Sequence, residues 1–154
     1  MRILIVAVGR MKTGPERELV DEYVKRAKPL ARQLGYREIT EVEVASGGSL
    51  EAEAGRLSDK IPAGATVFRL DEFGKAQNSV AFSQTLTKLK DQGAPELVFL
   101  IGGAAGYGQS VRDAYPQTMA LGPQTWPHKF VRVMLAEQIY RALSIEANTP
   151  YHKA

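Results

Sequence analysis

Residues 1–8 read MRILIVAV and residues 96–101 read ELVFLI. From Ile3 to Val8 no polar side chain interrupts the first run, and Leu97 to Ile101 is equally apolar. A strand with one wet face alternates polar and apolar residues. A run apolar at every position predicts a strand covered on both faces, as in a parallel sheet whose crossover helices lie above and below it. Each run stops at glycine, Gly9 after the first and Gly102-Gly103 after the second.

Working outward from these strands, Thr13-Gly14-Pro15-Glu16 has capping-box spacing with proline in the first turn. Leu19, Tyr23, Ala27 and Leu30 follow at helical intervals, and Pro29 is expected to end or kink that helix. Residues 37–44 set Ile39, Val42 and Val44 among acids as a strand. Ser46-Gly47-Gly48-Ser49 is a loop and cap for a polar helix over 50–61, stopped by Pro62. Residues 65–70 read as a strand that ends in the turn-rich Asp71-Glu72-Phe73-Gly74-Lys75. Ser79 is expected to cap a helix through Val80, Phe82, Leu86 and Leu89, with Gly93 as its stop. Beyond the glycine loop 102–108, Ser110-Val111-Arg112-Asp113 has capping-box form for a short helix broken before Pro116. A short strand over 117–121, a loop over 122–127 and a long helix over 128–146 complete the chain. Alternating strands and helices without a dividing linker predict one α/β domain over residues 1–154 with a mainly parallel sheet.

Composition narrows the chemistry. Without cysteine there is no disulfide, thiolate nucleophile, cysteine zinc site or iron–sulfur cluster. The two histidines, His128 and His152, cannot hold zinc without carboxylate help, so no metal is expected. No apolar run approaches the roughly 18 residues of a membrane span, and residues 1–8 are too short for a signal peptide. A cytoplasmic protein without membrane attachment is the expectation. The net charge of +3 is compatible with a polyanionic partner. Its distribution is more telling: acids slightly outnumber bases over 16–60, whereas the last third sets Arg112, Lys129, Arg132, Arg141 and Lys153 against Asp113, Glu137 and Glu146.

In open α/β sheets ligands lie beyond the carboxyl ends of strands, so the loops 70–75, 102–108 and 122–127 are the natural candidates to line one pocket. Glycines there let backbone N–H groups approach a ligand, although a tight strand-to-helix turn needs them equally. The dinucleotide pattern G-x-G-x-x-G is missing, and GAAGYGQS over 103–110 places Gln109 where a phosphate-binding loop needs lysine. The helix HKFVRVMLAEQIYRALSIE is apolar over most of its circumference, which calls for cover on two sides, and a second subunit would supply one of them. Arg132 and Arg141 point to opposite faces of it, Glu137 and Arg141 have the spacing of an intrahelical ion pair, and Arg132 alone is compatible with a snorkelling surface cation. The tail Asn148-Thr149-Pro150-Tyr151-His152-Lys153 is extended, and either solvated or fit to stack and bond a splayed nucleobase.

Four segments, ILIVAVGRMK, FRLDEFGK, VFLIGGAAGYG and HKFVRVMLAEQIYRALSIEANTPYHK, occur in order over essentially the whole chain. In them the sequence resembles the RlmH family, SPOUT-class methyltransferases acting on N3 of a pseudouridine in bacterial 23S ribosomal RNA. The resemblance implies an α/β-knot fold, a mainly parallel sheet flanked by helices with a C-terminal trefoil knot, although topology rules alone argue against knots. It implies S-adenosylmethionine held by Leu70, Asp71, Gly102, Gly103, Leu121, Gly122, Pro123, Gln124, Thr125 and Trp126. It also implies a homodimer with ribosomal RNA, or the ribosome itself, bound across the subunit interface. Ala105 departs from relatives that carry a polar or acidic residue in the glycine loop.

On that reading Arg141 and His128 orient the base or its developing anion. Tyr151 and His152 pack against the pseudouridine or deprotonate it, and Arg132 and Lys153 hold phosphates. Two alternatives stay open at this point: a non-catalytic ribosome- or RNA-binding factor, and a nucleotide-binding regulator with a degenerate phosphate loop.

Overall fold

In the computed structural model, which describes residues 1–153, Ile3, Ile5 and Ala7 of β1 (Arg2–Val8) face one layer of helices and Leu4, Val6 and Val8 the other. This is the two-sided burial read from MRILIVAV. The first layer holds α1 (Pro15–Gln33), α3 (Ser79–Asp91) and α5 (His128–Glu146), whose Ala27, Ala31, Phe82, Leu86, Leu135, Ile139 and Leu143 close over the sheet. The second holds α2 (Leu50–Ser58) and α4 (Gln109–Ala114), through Ala54, Leu57 and Val111. Between them lie β1, β2 (Glu38–Val44), β3 (Thr66–Leu70), β4 (Glu96–Ile101) and β5 (Thr118–Met119) in the order β2-β1-β4-β3-β5, every neighbour parallel. Parallel pairing brings Val8, Leu70, Ile101 and Met119 to the same edge of the sheet, where the candidate loops begin.

Several local expectations are corrected. Helix α1 runs through Pro29, which is exposed, while Ala27 and Ala31 on either side of it are packed against the sheet. Thr13 does not cap it; Gly14, at φ 109°, stands at the N-cap without a side-chain bond. Asn78, not Ser79, caps α3 by accepting from the Ala81 N–H, and the Ser79 hydroxyl donates instead to Gln138. Ser110 lies inside α4, and both its N–H and its hydroxyl donate to Glu51 of α2, tying the two helices of that layer. Strand β5 shrinks to two residues, extended by a bridge between Ala76 and Ala120.

Helix α5 packs against α1 and α3 and buries Leu135, Ala136, Ile139, Ala142, Leu143 and Ser144. Cover is not complete within one chain, since Phe130 remains 48% exposed and Val133 and Met134 half-buried. Arg132 overturns both expectations placed on it, phosphate ligand and snorkelling cation alike. It is 1% exposed, pairs with Glu43 and with Glu41 (3.1 Å), and donates to the Gly9 carbonyl at 2.9 Å. Arg17 completes this cluster at 2.6 Å from Glu41 and 2.9 Å from Glu43, and the Met11 N–H donates to Glu43 as well. A guanidinium so deep needs such partners to offset its lost hydration, which leaves it no face for a phosphate.

Candidate active site

The turns after β3 and β4 and the segment after β5 enclose a cleft of about 400 Å³. Leu70, Asp71, Gly102, Gly103, Leu121, Gln124, Thr125 and Trp126 line it as expected from the sequence. Gly122 and Pro123 do not; Gly122, at φ 98°, turns the chain toward a neighbouring hollow lined by Ser79 and Met134. Ile101, Met119, Val131, Tyr107 and Arg112 also line the cleft and were not singled out from sequence. The first three are legible as strand ends and an inward helix position. Tyr107 carried only its place among glycines.

Tyr107 is the strut of the site. Its ring is 6% exposed, and its hydroxyl lies 2.8 Å from both the Leu70 and the Leu100 carbonyl oxygens, sharing its proton between the ends of β3 and β4. Burial pushes its phenol well above the usual range, so it stays a donor. Gly102 must be glycine for space: a Cβ there would lie 2.9 Å from the Gly106 carbonyl oxygen. The turn after β3 is held from beneath by Arg69, 6% exposed, which lies over the Tyr107 ring, donates to the Tyr115 carbonyl at 2.7 Å and reaches Asp71 at 3.3 Å. Asp71 in turn accepts from the Phe73 N–H, and its own N–H donates to the Met119 carbonyl. Across the mouth Thr125 hydrogen-bonds Glu72, and the Trp126 indole N–H donates to the Leu121 carbonyl at 3.1 Å.

His128, the first residue of α5, forms one wall of the cleft. Burial, then the charges of Arg132 and Lys129, lowers its pKa below the ordinary histidine value, so the ring is neutral near pH 7. Its Nδ1 is buried without a hydrogen-bond partner. Arg141 stands thirteen positions further along the same helix, about 20 Å away at 1.5 Å per residue, so the two cannot meet one base within a single chain. Gln109, the residue at the lysine position of a phosphate loop, spends its amide on Asp113 at 2.8 Å.

Arg141 gathers the tail instead. Asn148 turns the chain in the left-handed region at φ 57°, and the Thr149 N–H donates back to the Ser144 carbonyl. Tyr151 is thereby folded against the helix, its ring 4.6 Å from that of Tyr140 and 4.8 Å from the Arg141 guanidinium, its hydroxyl donating to Glu137 at 2.7 Å. Arg141 binds Glu137 through two nitrogens, at 2.6 and 3.2 Å, and places a third 3.1 Å from His152 Nδ1. Burial acts to raise the Glu137 pKa, but the Arg141 and Tyr151 bonds outweigh it and hold the carboxyl below its usual range. The extended tail expected from sequence is thus a clasped turn, and Glu137, read there as half of an ion pair, is its hub. Lys153 is exposed. Among the described residues no cluster of His, Asp and Glu is arranged to hold a metal ion, and no helix is long and apolar enough to cross a membrane.

A strand-end cleft of this build defines a class, and the family model described as predicted SPOUT methyltransferase matches residues 1–152: the chain belongs to the SPOUT methyltransferase family. It is 55% identical over 154 residues to the ribosomal RNA large subunit methyltransferase H of Hyphomonas neptunium, with all of both chains covered. It is 49% identical to the protein of the same name from Phenylobacterium zucineum over 158 residues, with 99% of each chain covered. Among solved structures, one titled a probable methyltransferase from Bordetella pertussis Tohama I superposes with a TM-score of 0.50 at 12% identity, covering 92% of this chain and 93% of that one, a likeness of fold.

Proposed function

We propose that the chain is an S-adenosylmethionine-dependent methyltransferase acting on N3 of a pseudouridine in large-subunit ribosomal RNA. It works in the cytoplasm, as a homodimer of single-domain subunits, with the ribosome presenting the substrate. The observation that carries this reading is the convergence of three strand-end segments on one cleft, in a chain that shares more than half its residues with a relative named for ribosomal RNA methylation.

The cleft fits the cofactor. Ile101, Met119, Leu121 and Val131 offer an apolar wall for a purine, Gly102 and Gly103 leave backbone accessible, and Asp71 and Glu72 bring carboxylates suited to a ligand that carries positive charge. The bound sulfonium supplies an electrophilic methyl group. The same reading threads residues after β5 as the trefoil knot of the family. Consistent with it is the backbone-to-backbone packing at Gly74, where a Cβ would lie 2.9 Å from the Met119 nitrogen.

Distance supports a site built from two chains. With His128 and Arg141 at opposite ends of α5, the tail that meets the base belongs to the subunit opposite the cleft, and the uncovered Phe130 side of α5 gives the second subunit its seat. The cleft then supplies His128, whose ring forms the wall beside the reacting base. The partner copy supplies Arg141 to steady the developing anion, Tyr151 to pack on the ring, His152 to bond its edge and Lys153 to meet phosphate.

Mass mapping of ribosomal RNA from cells with and without the protein tests this. One methylated pseudouridine in the large-subunit RNA should appear only when the protein is present; an unchanged map with the purified dimer failing to bind S-adenosylmethionine overturns it.

A further inference from the structure

The tail clasp fixes more than position. Arg141 is a donor at every nitrogen and never an acceptor near neutral pH, so the His152 Nδ1 that faces it at 3.1 Å must be the accepting nitrogen. A neutral imidazole with Nδ1 accepting carries its proton on Nε2. The Arg141 nitrogen that does this can be in place only because Glu137 takes the other two, while Tyr151 both stacks on the guanidinium and donates to the same carboxylate.

We propose that Glu137 is a positioning residue that, through Arg141, locks His152 as an Nε2–H donor, so that His152 recognises a carbonyl oxygen of the substrate base and does not take its N3 proton. This rests on the methyl-transfer reading above. In that step the N3–C bond forms as the S–C bond breaks, and the N3 proton must leave the base. With His152 committed as a donor, His128 on the cleft wall is the only other imidazole in the chain, and the N3 proton leaves to that side or to solvent. The tail histidine thus marks the pyrimidine edge by donation and leaves proton acceptance to another group.

Long-range proton–nitrogen NMR of the intact dimer at pH 7 reads the tautomer directly. His152 should appear as Nε2–H, and Glu137→Gln should weaken that preference while leaving the fold and S-adenosylmethionine affinity unchanged. In turnover assays Glu137→Gln should lower kcat by about 100-fold, the scale of a misplaced contact at a reacting centre. His152→Gln, which sets an amide N–H near the Nε2 position, should recover most of the activity lost in His152→Ala and keep the acid limb of the wild-type pH profile. An Nδ1–H or doubly protonated His152, or loss of that acid limb in His152→Gln, overturns the proposal. Should the wild-type dimer fail to methylate pseudouridine at all, it is the methyl-transfer reading that falls, and the spectrum still decides the tautomer.

Discussion

Replacing Tyr107 with phenylalanine removes one oxygen and keeps the ring. The lost hydroxyl is the shared donor to the Leu70 and Leu100 carbonyls, in surroundings where the ring is 6% exposed and water has no ready access. Leu100 lies inside β4, flanked by paired strands, so the sharper loss is at Leu70, the last residue of β3. One buried acceptor left without a partner costs about 1–3 kcal/mol. At about 2 kcal/mol, the melting temperature of a chain this size should fall by roughly 4–8 °C. Because the same hydroxyl ties together two walls of the cleft, part of that cost reappears on binding. A share of about 1.4 kcal/mol weakens S-adenosylmethionine tenfold. Differential scanning calorimetry with and without cofactor, and titration calorimetry on both proteins, measure the two effects. A variant that melts with the wild type refutes the strut. One that melts early yet binds with full affinity refutes its link to the cleft.

Arg132→Ala should destabilise the fold by about 3–5 kcal/mol, since it leaves buried carboxylates short of a partner, and denaturant titration should show this, whereas Lys153→Ala leaves the midpoint unchanged and weakens RNA binding. Arg141→Ala should abolish RNA methylation while sedimenting like the wild type; a change in sedimentation instead makes the residue structural. A chain cut before Asn148 should lose methylation far more than cofactor affinity, measured side by side on one preparation. His128 has a folded pKa below its unfolded value of about 6.5, so its neutral form favours folding above that pH and the contribution is lost as pH falls through the folded value. Urea midpoints of the wild type should therefore decline below about pH 6.5 more steeply than those of His128→Gln, and parallel curves would contradict the assignment.

The sheet was legible because burial on both faces leaves an unmistakable mark on MRILIVAV and ELVFLI, and the last helix is bounded where the sequence places it. Caps were harder: Thr13, Ser79 and Ser110 all have capping chemistry at plausible spacing, but the hydroxyls of Ser79 and Ser110 found tertiary partners in Gln138 and Glu51. Pro29 failed as a stop signal because packing of Ala27 and Ala31 outweighs the one helix hydrogen bond a proline removes. The strand-end rule was enough to bring the loops 70–75, 102–108 and 122–127 to one cleft, whereas the individual cofactor residues came from the family resemblance. Arg132 could not be placed from its helix alone, for what buries it are acids on β2 and carbonyls after β1, contacts across most of the chain. Glu137 looked ordinary for the opposite reason: its ion pair is local, and only the return of the tail makes it a hub.

The wiring of the sheet has a consequence for how the polypeptide comes to exist. Ile5 waits for Phe99, and the carbonyls beside Gly9 wait for the guanidinium of residue 132. Loop closure over such spans precedes any gain from the contacts it brings together, which makes folding slow for so short a chain. During synthesis the first strand can pair with β2 early, but its other apolar edge stands open until almost two thirds of the chain has emerged. A nascent segment of this kind is a ready client for chaperones, and fragments ending before β4 should be recovered as aggregates.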